Sequence, residues 1–178
     1  MSTITFLKPN LVDIEMISNS KSKIIIQPLE RGFGHTLGNA LRRVLLSSMP
    51  GSAVTEVSID NILHEYSTID CVQEDVLEIL LNIKKLALVL HDKDKIEVEL
   101  RKKCKGPVLA SDIEDHPNLD IKNPDFCIAN MKNEKTELVI NLTISQGKGY
   151  QPAVKRKFNE LEDLGIGKMQ IDASFTPV

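Results

Sequence analysis

Between Glu137 and Ser145, Leu138, Ile140, Leu142 and Ile144 alternate with Val139, Asn141 and Thr143. A period of two puts all four aliphatic residues on one side of an extended strand, so the segment demands a sheet with one face against a core. Elsewhere the period changes. Leu37, Leu41, Val44, Leu45 and Ser48 recur at i, i+4, i+7, i+8 and i+11, the spacing of one helical face, and Val72, Val76, Ile79, Leu80 and Ile83 make a second such stripe. Helices separated by runs of strands predict an α+β fold rather than a parallel βαβ series.

Local signals place the remaining elements. Leu11-Val12-Asp13-Ile14-Glu15 and Lys23-Ile24-Ile25-Ile26-Gln27 flank the turn-like Ser18-Asn19-Ser20, which predicts a hairpin. Thr36 is the expected N-cap of the first helix, which must stop near Met49 because Pro50 disfavours helical geometry in the residue before it. Residues 53–60 read as a strand with imperfect alternation through Val54, Val57 and Ile59. The second helix is expected to open at Asp70, with a capping box to Gln73, acidic early turns at Glu74, Asp75 and Glu78, and Lys84 and Lys85 in its last turn. Residues 86–90 and 96–100 around a polar turn predict another hairpin, and residues 105–125 read as irregular chain with short strands. Gln146-Gly147-Lys148-Gly149-Tyr150 is expected to bend away from the alternating strand, and a polar loop over 155–167 leads to a last strand over 168–175.

Composition bounds the function. The chain of 178 residues carries 22 Lys and Arg against 25 Asp and Glu, a formal charge of −3, and only 4% aromatic residues. It lacks the basic field and the stacking platforms on which nucleic-acid binding draws. Cys71, Cys104 and Cys127 fit neither a CxxC pair nor a disulfide framework, which points to a reducing, cytosol-like compartment. No apolar run is long enough to span a membrane, and the N-terminus has no secretory pattern.

Catalytic spacing is not found. His35, His64, His91 and His116 form no HExxH or GxSxG arrangement, and Gly147-Lys148-Gly149 lacks the GxxxxGK[ST] phosphate-loop pattern. Glu74-Asp75 and the acids Glu160, Glu162 and Asp163 lack the tight-turn convergence a hard cation needs, and read as helix N-terminal charge and a solvated loop. The first helix does stand out. Arg42, Arg43 and Leu46 lie away from its apolar stripe, either as a snorkelling surface or as a protein contact.

At Leu29-Glu30-Arg31-Gly32-Phe33-Gly34-His35-Thr36-Leu37-Gly38-Asn39-Ala40-Leu41-Arg42-Arg43-Val44-Leu45-Leu46-Ser47-Ser48-Met49-Pro50-Gly51 the sequence resembles the α subunit of bacterial-type DNA-dependent RNA polymerase. The resemblance continues through Leu63-His64-Glu65-Tyr66-Ser67-Thr68, Val72-Gln73-Glu74-Asp75-Val76-Leu77, Gly147-Lys148-Gly149-Tyr150-Gln151-Pro152-Ala153 and Asp172-Ala173, and covers essentially the whole chain, loosely over residues 102–135. It implies a non-catalytic assembly subunit of a nucleotidyltransferase: two α amino-terminal domains dimerise and recruit β and β′, with the catalytic magnesium on β′ and no cofactor on α. It further implies that residues 1–50 open a dimerisation subdomain of hairpin plus helix, and that residues 51–178 form an inserted mixed α+β domain rich in antiparallel strands.

By the same resemblance, Arg43 and Leu46 match the β contact, Leu63, His64, Glu65 and Tyr66 match a second β-facing strip, and Lys84 and Ile171 match positions near β′. Phe33, Leu37 and Val44 match the dimerisation face. Relatives continue beyond the position of Val178 with two strands, a long dimerisation helix and a DNA-binding domain. The expectation is therefore a truncated α chain, cytoplasmic or in an organellar stroma, with dimerisation an open question and no nucleic-acid or membrane contact from this segment. The alternative is a stand-alone interaction module using the Arg42, Arg43 and Leu46 face for an unrelated partner.

Overall fold

The computed structural model describes residues 7–18, 20–133, 137–154 and 167–178. The chain divides into two compact units, Met1–Val44 and Leu45–Val178. In the first, β1 (Leu11–Ser18) pairs antiparallel with β2 (Lys21–Gln27), Leu11 opposite Gln27 and Ile14 opposite Ile24. The expected hairpin is present. The helix α1 spans Phe33–Ser47, opening one turn ahead of the expected Thr36 cap. Gly32 at φ +88° makes the left-handed entry that a side chain resists, and the Phe33 N–H donates to the Glu30 carbonyl at 3.1 Å. That turn starts the helix early and leaves Thr36 inside it.

The second unit is built on β3 (Pro50–Ile59). Its register with β9 (Leu138–Lys148) slips between Val54 and Glu56, so Thr55 is an extra residue on one strand. This bulge is why the alternation of β3 reads imperfectly. The Thr55 hydroxyl donates to the Thr143 carbonyl at 3.2 Å. β9 follows the period-two pattern, with Leu138, Ile140, Leu142 and Ile144 all buried. It runs on to Lys148, beyond the bend expected at Gln146, and the turn comes at Gly149, φ +62°.

The helix α2 spans Val76–Ile83, not from Asp70. Asp75 is its N-cap, accepting the Glu78 N–H at 2.7 Å. The residues before it are claimed by β8 (Cys127–Met131): Val72 bridges Met131, and the Gln73 N–H donates to the Asn130 carbonyl at 2.9 Å. Glu74, expected as early-turn helix charge, clasps the same strand through its two oxygens, accepting from the Asn130 N–H at 2.7 Å and its Nδ2 at 2.8 Å. The predicted stripe Val72, Val76, Ile79, Leu80 and Ile83 is wholly buried.

Residues 86–100 do not form the expected hairpin. β4 (Leu88–Leu90) meets β3 and β7 (Leu119–Ile121), whereas β5 (Lys95–Lys102) pairs with β9, giving the order β5-β9-β3-β4-β7. β5 pairs over all eight of its residues with β9, whereas β4 has only three to offer it. The irregular stretch holds β6 (Gly106–Leu109), paired with β8, and a 3₁₀ turn, Ala110–Asp112. The expected last strand is broken into β11 (Lys168–Gln170), paired with β3, and β12 (Ala173–Ser174), paired with β10 (Tyr150–Gln151). The polar loop expected over 155–167, with Glu160, Glu162 and Asp163, lies outside the described residues apart from Gly167. One core joins the inner faces of β3, β5 and β9 to α2 and β8 through Val57, Leu100, Ile140, Ile79 and Ile128.

Candidate protein-interaction surface

No residue of α1 is buried. Phe33, Leu41, Val44, Leu45 and Leu46 are exposed, Leu37 is half-buried, and Arg42 and Arg43 are exposed as well. The helix thus shows apolar side chains on both the stripe read from periodicity and the face carrying Arg43 and Leu46. Val12, Ile14, Met16 and Ile24 of the hairpin are also exposed. An isolated two-stranded hairpin is marginally stable in water, and this many exposed apolar side chains make the unit a candidate interaction surface.

In the second unit the loop between β3 and α2 is held tightly while its side chains point out. The Ser67 hydroxyl donates to the His64 carbonyl at 2.9 Å and lies 3.0 Å from His64 Nδ1, and the Val76 N–H donates to the Ser67 carbonyl at 3.1 Å. On this frame Leu63 is 69% and Tyr66 79% exposed, with His64 exposed and Glu65 half-buried. A fixed backbone carrying an exposed Leu and Tyr loses little entropy on docking.

Lys84 and Ile171 do not form one surface, because Ile171 is only 6% exposed, packed in the core with its N–H donating to the Thr55 carbonyl at 3.1 Å. The neighbour of Lys84 is the residue after Ile171, half-buried Asp172. Its carboxylate lies 3.7 Å from Lys84 Nζ, accepts the Tyr150 hydroxyl at 2.8 Å, and accepts the Ala153 N–H at 2.9 Å. The hydrogen bond to Asp172, aided by burial and the carboxylate charge, raises the Tyr150 phenol above its ordinary value. Tyr150 itself is largely exposed. Reading by residue type missed Asp172 and Tyr150, although both fall in blocks through which the resemblance runs.

Lys84 also stands on the wall of an open cleft of about 640 Å³, whose described lining includes Lys84, Lys85 and Lys122 and no carboxylate. The histidines are scattered: His91 meets Asp120 at 3.6 Å, His116 Nδ1 accepts the Asn118 N–H at 3.1 Å, and His64 is in the Ser67 turn. Among the described residues no three His, Cys, Asp or Glu side chains are grouped as a metal ion requires. No helix among them is long and apolar enough to cross a membrane.

A helix against a curled antiparallel sheet, with one pinned, exposed loop leading into the helix, defines an α+β domain. The chain belongs to the RNA polymerase Rpb3/RpoA insert domain family, which matches residues 57–176. It is an α-type subunit of DNA-directed RNA polymerase, a component of a nucleotidyltransferase complex that acts in transcription.

Proposed function

We propose that this chain is the assembly scaffold of the polymerase, pairing with a second α and recruiting β and then β′ without contributing catalytic residues of its own. The observation that carries the reading is the family match across the second unit. Exposed Arg43 and Leu46 on α1, and Leu63, His64, Glu65 and Tyr66 on the pinned loop, are its β-facing groups. Phe33, Leu37 and Val44 are its self-association face, and Lys84 its point of contact with β′. Ile171 serves that contact only through the backbone it shares with Asp172, since its side chain is buried in the core. Nucleotidyl transfer and the catalytic magnesium belong to β′, and this subunit works in the cytoplasm or an organellar stroma.

The test is co-elution of the purified chain with β on a sizing column. Co-elution that a Leu63→Ser, Tyr66→Ser double variant abolishes is the expected result. A chain that elutes alone, with its thermal melt intact, overturns the scaffold reading.

A further inference from the structure

One carboxylate in the second unit has more partners than its strand requires. Asp172 sits between β11 and β12 and accepts from the Tyr150 hydroxyl at 2.8 Å and the Ala153 N–H at 2.9 Å, while Lys84 Nζ stands 3.7 Å away. Two segments distant from it in sequence are thereby tied to Asp172: the C-terminal cap of α2 through Lys84, and the chain in and just after β10 through Tyr150 and Ala153. The side chains are only partly covered, Lys84 at 32% and Asp172 at 39% exposure. An ion pair this open adds little to stability, because solvent screens it and two side chains must be ordered to make it. Its larger effect is geometric.

Lys84 is a long side chain with three donors and many rotamers. Held toward Asp172, its ammonium keeps donors for a partner and stays at the rim of a cleft that has lysines and no carboxylate in its described lining. Tyr150, tied by its hydroxyl to the same carboxylate, presents a largely exposed ring. An exposed aromatic ring and a cation, both held by one carboxylate, are groups that a partner can use as an anchor. The chemistry that fits is a partner segment offering carboxylate or carbonyl oxygens to the ammonium and an apolar or proline side chain to the ring.

We infer that Asp172 is a positioning residue for subunit docking: it orders Lys84 and Tyr150 into one patch that receives an acceptor-rich segment of β′. This rests on the reading of Lys84 as the β′ contact. The position of Ile171 then has a physical meaning, since its buried side chain and its N–H bond to Thr55 fix the backbone that carries Asp172.

The experiment is a double-mutant cycle on β′ affinity, measured with the full chain assembled with β and titrated with β′, thermal melts being recorded for every variant. The expected result is a loss of roughly fivefold or more for Lys84→Met, Asp172→Asn and Tyr150→Phe, the range that marks interface residues carrying binding energy. In the Lys84→Met background, Asp172→Asn should cost no more than Tyr150→Phe does there, less than it costs in the wild type. Full and additive losses from the two changes mean that Asp172 acts on the fold alone, and they overturn the positioning role. A loss for Lys84→Met with unchanged affinity for Asp172→Asn overturns it too, leaving the β′ contact standing. Unchanged affinity for Lys84→Met overturns both. Tyr150→Phe, which deletes one hydroxyl, decides the matter if Asp172→Asn lowers the melt: wild-type affinity there removes the patch.

Discussion

The ring of Phe175 occupies the space a Cβ on Gly147 would need: such an atom would stand 2.6 Å from both Cδ2 and Cε2 of the ring. Phe175 is buried, and its N–H donates to the Gly149 carbonyl at 2.8 Å, so ring and backbone are fixed together. Gly51 on β3 makes a similar approach to the Phe175 carbonyl. Two strands are thus kept bare where the chain crosses them.

Gly147→Ala should therefore destabilise the second unit by about 1–3 kcal/mol, the usual cost of overpacking a filled site. Urea denaturation checks it. Phe175→Leu should recover part of the loss in the Gly147→Ala background, as coupled neighbours do.

Arg43→Ala should change stability by no more than about 0.5 kcal/mol, since an exposed helical Arg gives way to the best helix former. Binding to β should weaken by roughly 2 kcal/mol if partner acceptors are stranded on its removal. Arg42→Ala is the neighbouring control with the smaller effect. Titration of β with both variants beside thermal melts reads out the difference; equal affinities remove Arg43 from the contact.

The clasp of Glu74 on Asn130 joins the approach to α2 to β8 by two hydrogen bonds to a charged acceptor. Glu74→Ala leaves the Asn130 N–H without that acceptor, so a loss of about 1.5–3 kcal/mol is expected. Amide exchange should accelerate first at Asn130. Slowed or unchanged exchange there, with an unaltered denaturation midpoint, contradicts the clasp.

Tyr150 offers a spectroscopic check. The chain has two tyrosines, so in Tyr66→Phe the phenolate absorbance reports Tyr150 alone. Its ionisation should fall above the ordinary phenol range, because the hydroxyl donates to the Asp172 carboxylate, and Asp172→Asn should move it down. A phenol raised on folding stabilises the fold fully below its unfolded pKa. That contribution disappears as pH rises through the folded value, so Tyr150→Phe should flatten stability on the alkaline side.

What could be read from the sequence follows how local each interaction is. The β9 strand and the buried stripe of α2 were legible because each pattern repeats within its own element. The cap of α2 was misplaced because Asp70 and Gln73 match a capping box, while the bridge from Val72 to Met131, made far along the chain, decides where the helix begins. β4 and β5 were read as mutual partners for the same reason: their real neighbours, β7 and β9, lie at a distance no short window reveals. Of the candidate contacts, Arg43, Leu46, Leu63 and Tyr66 are exposed and Ile171 is buried, a difference that no residue type announces. Asp172 joins side chains that only the folded backbone brings together.

The pairing of β3 with β9 sets a schedule for synthesis. β3 closes at Ile59 and its principal partner opens at Leu138, so on the ribosome Val54, Val57 and Ile59 emerge well before the strand that completes their sheet. At about 5–20 residues per second that interval is roughly 4–16 s, long compared with hydrophobic collapse. The bulge at Thr55, a residue with no opposite number on β9, can close only when that strand arrives.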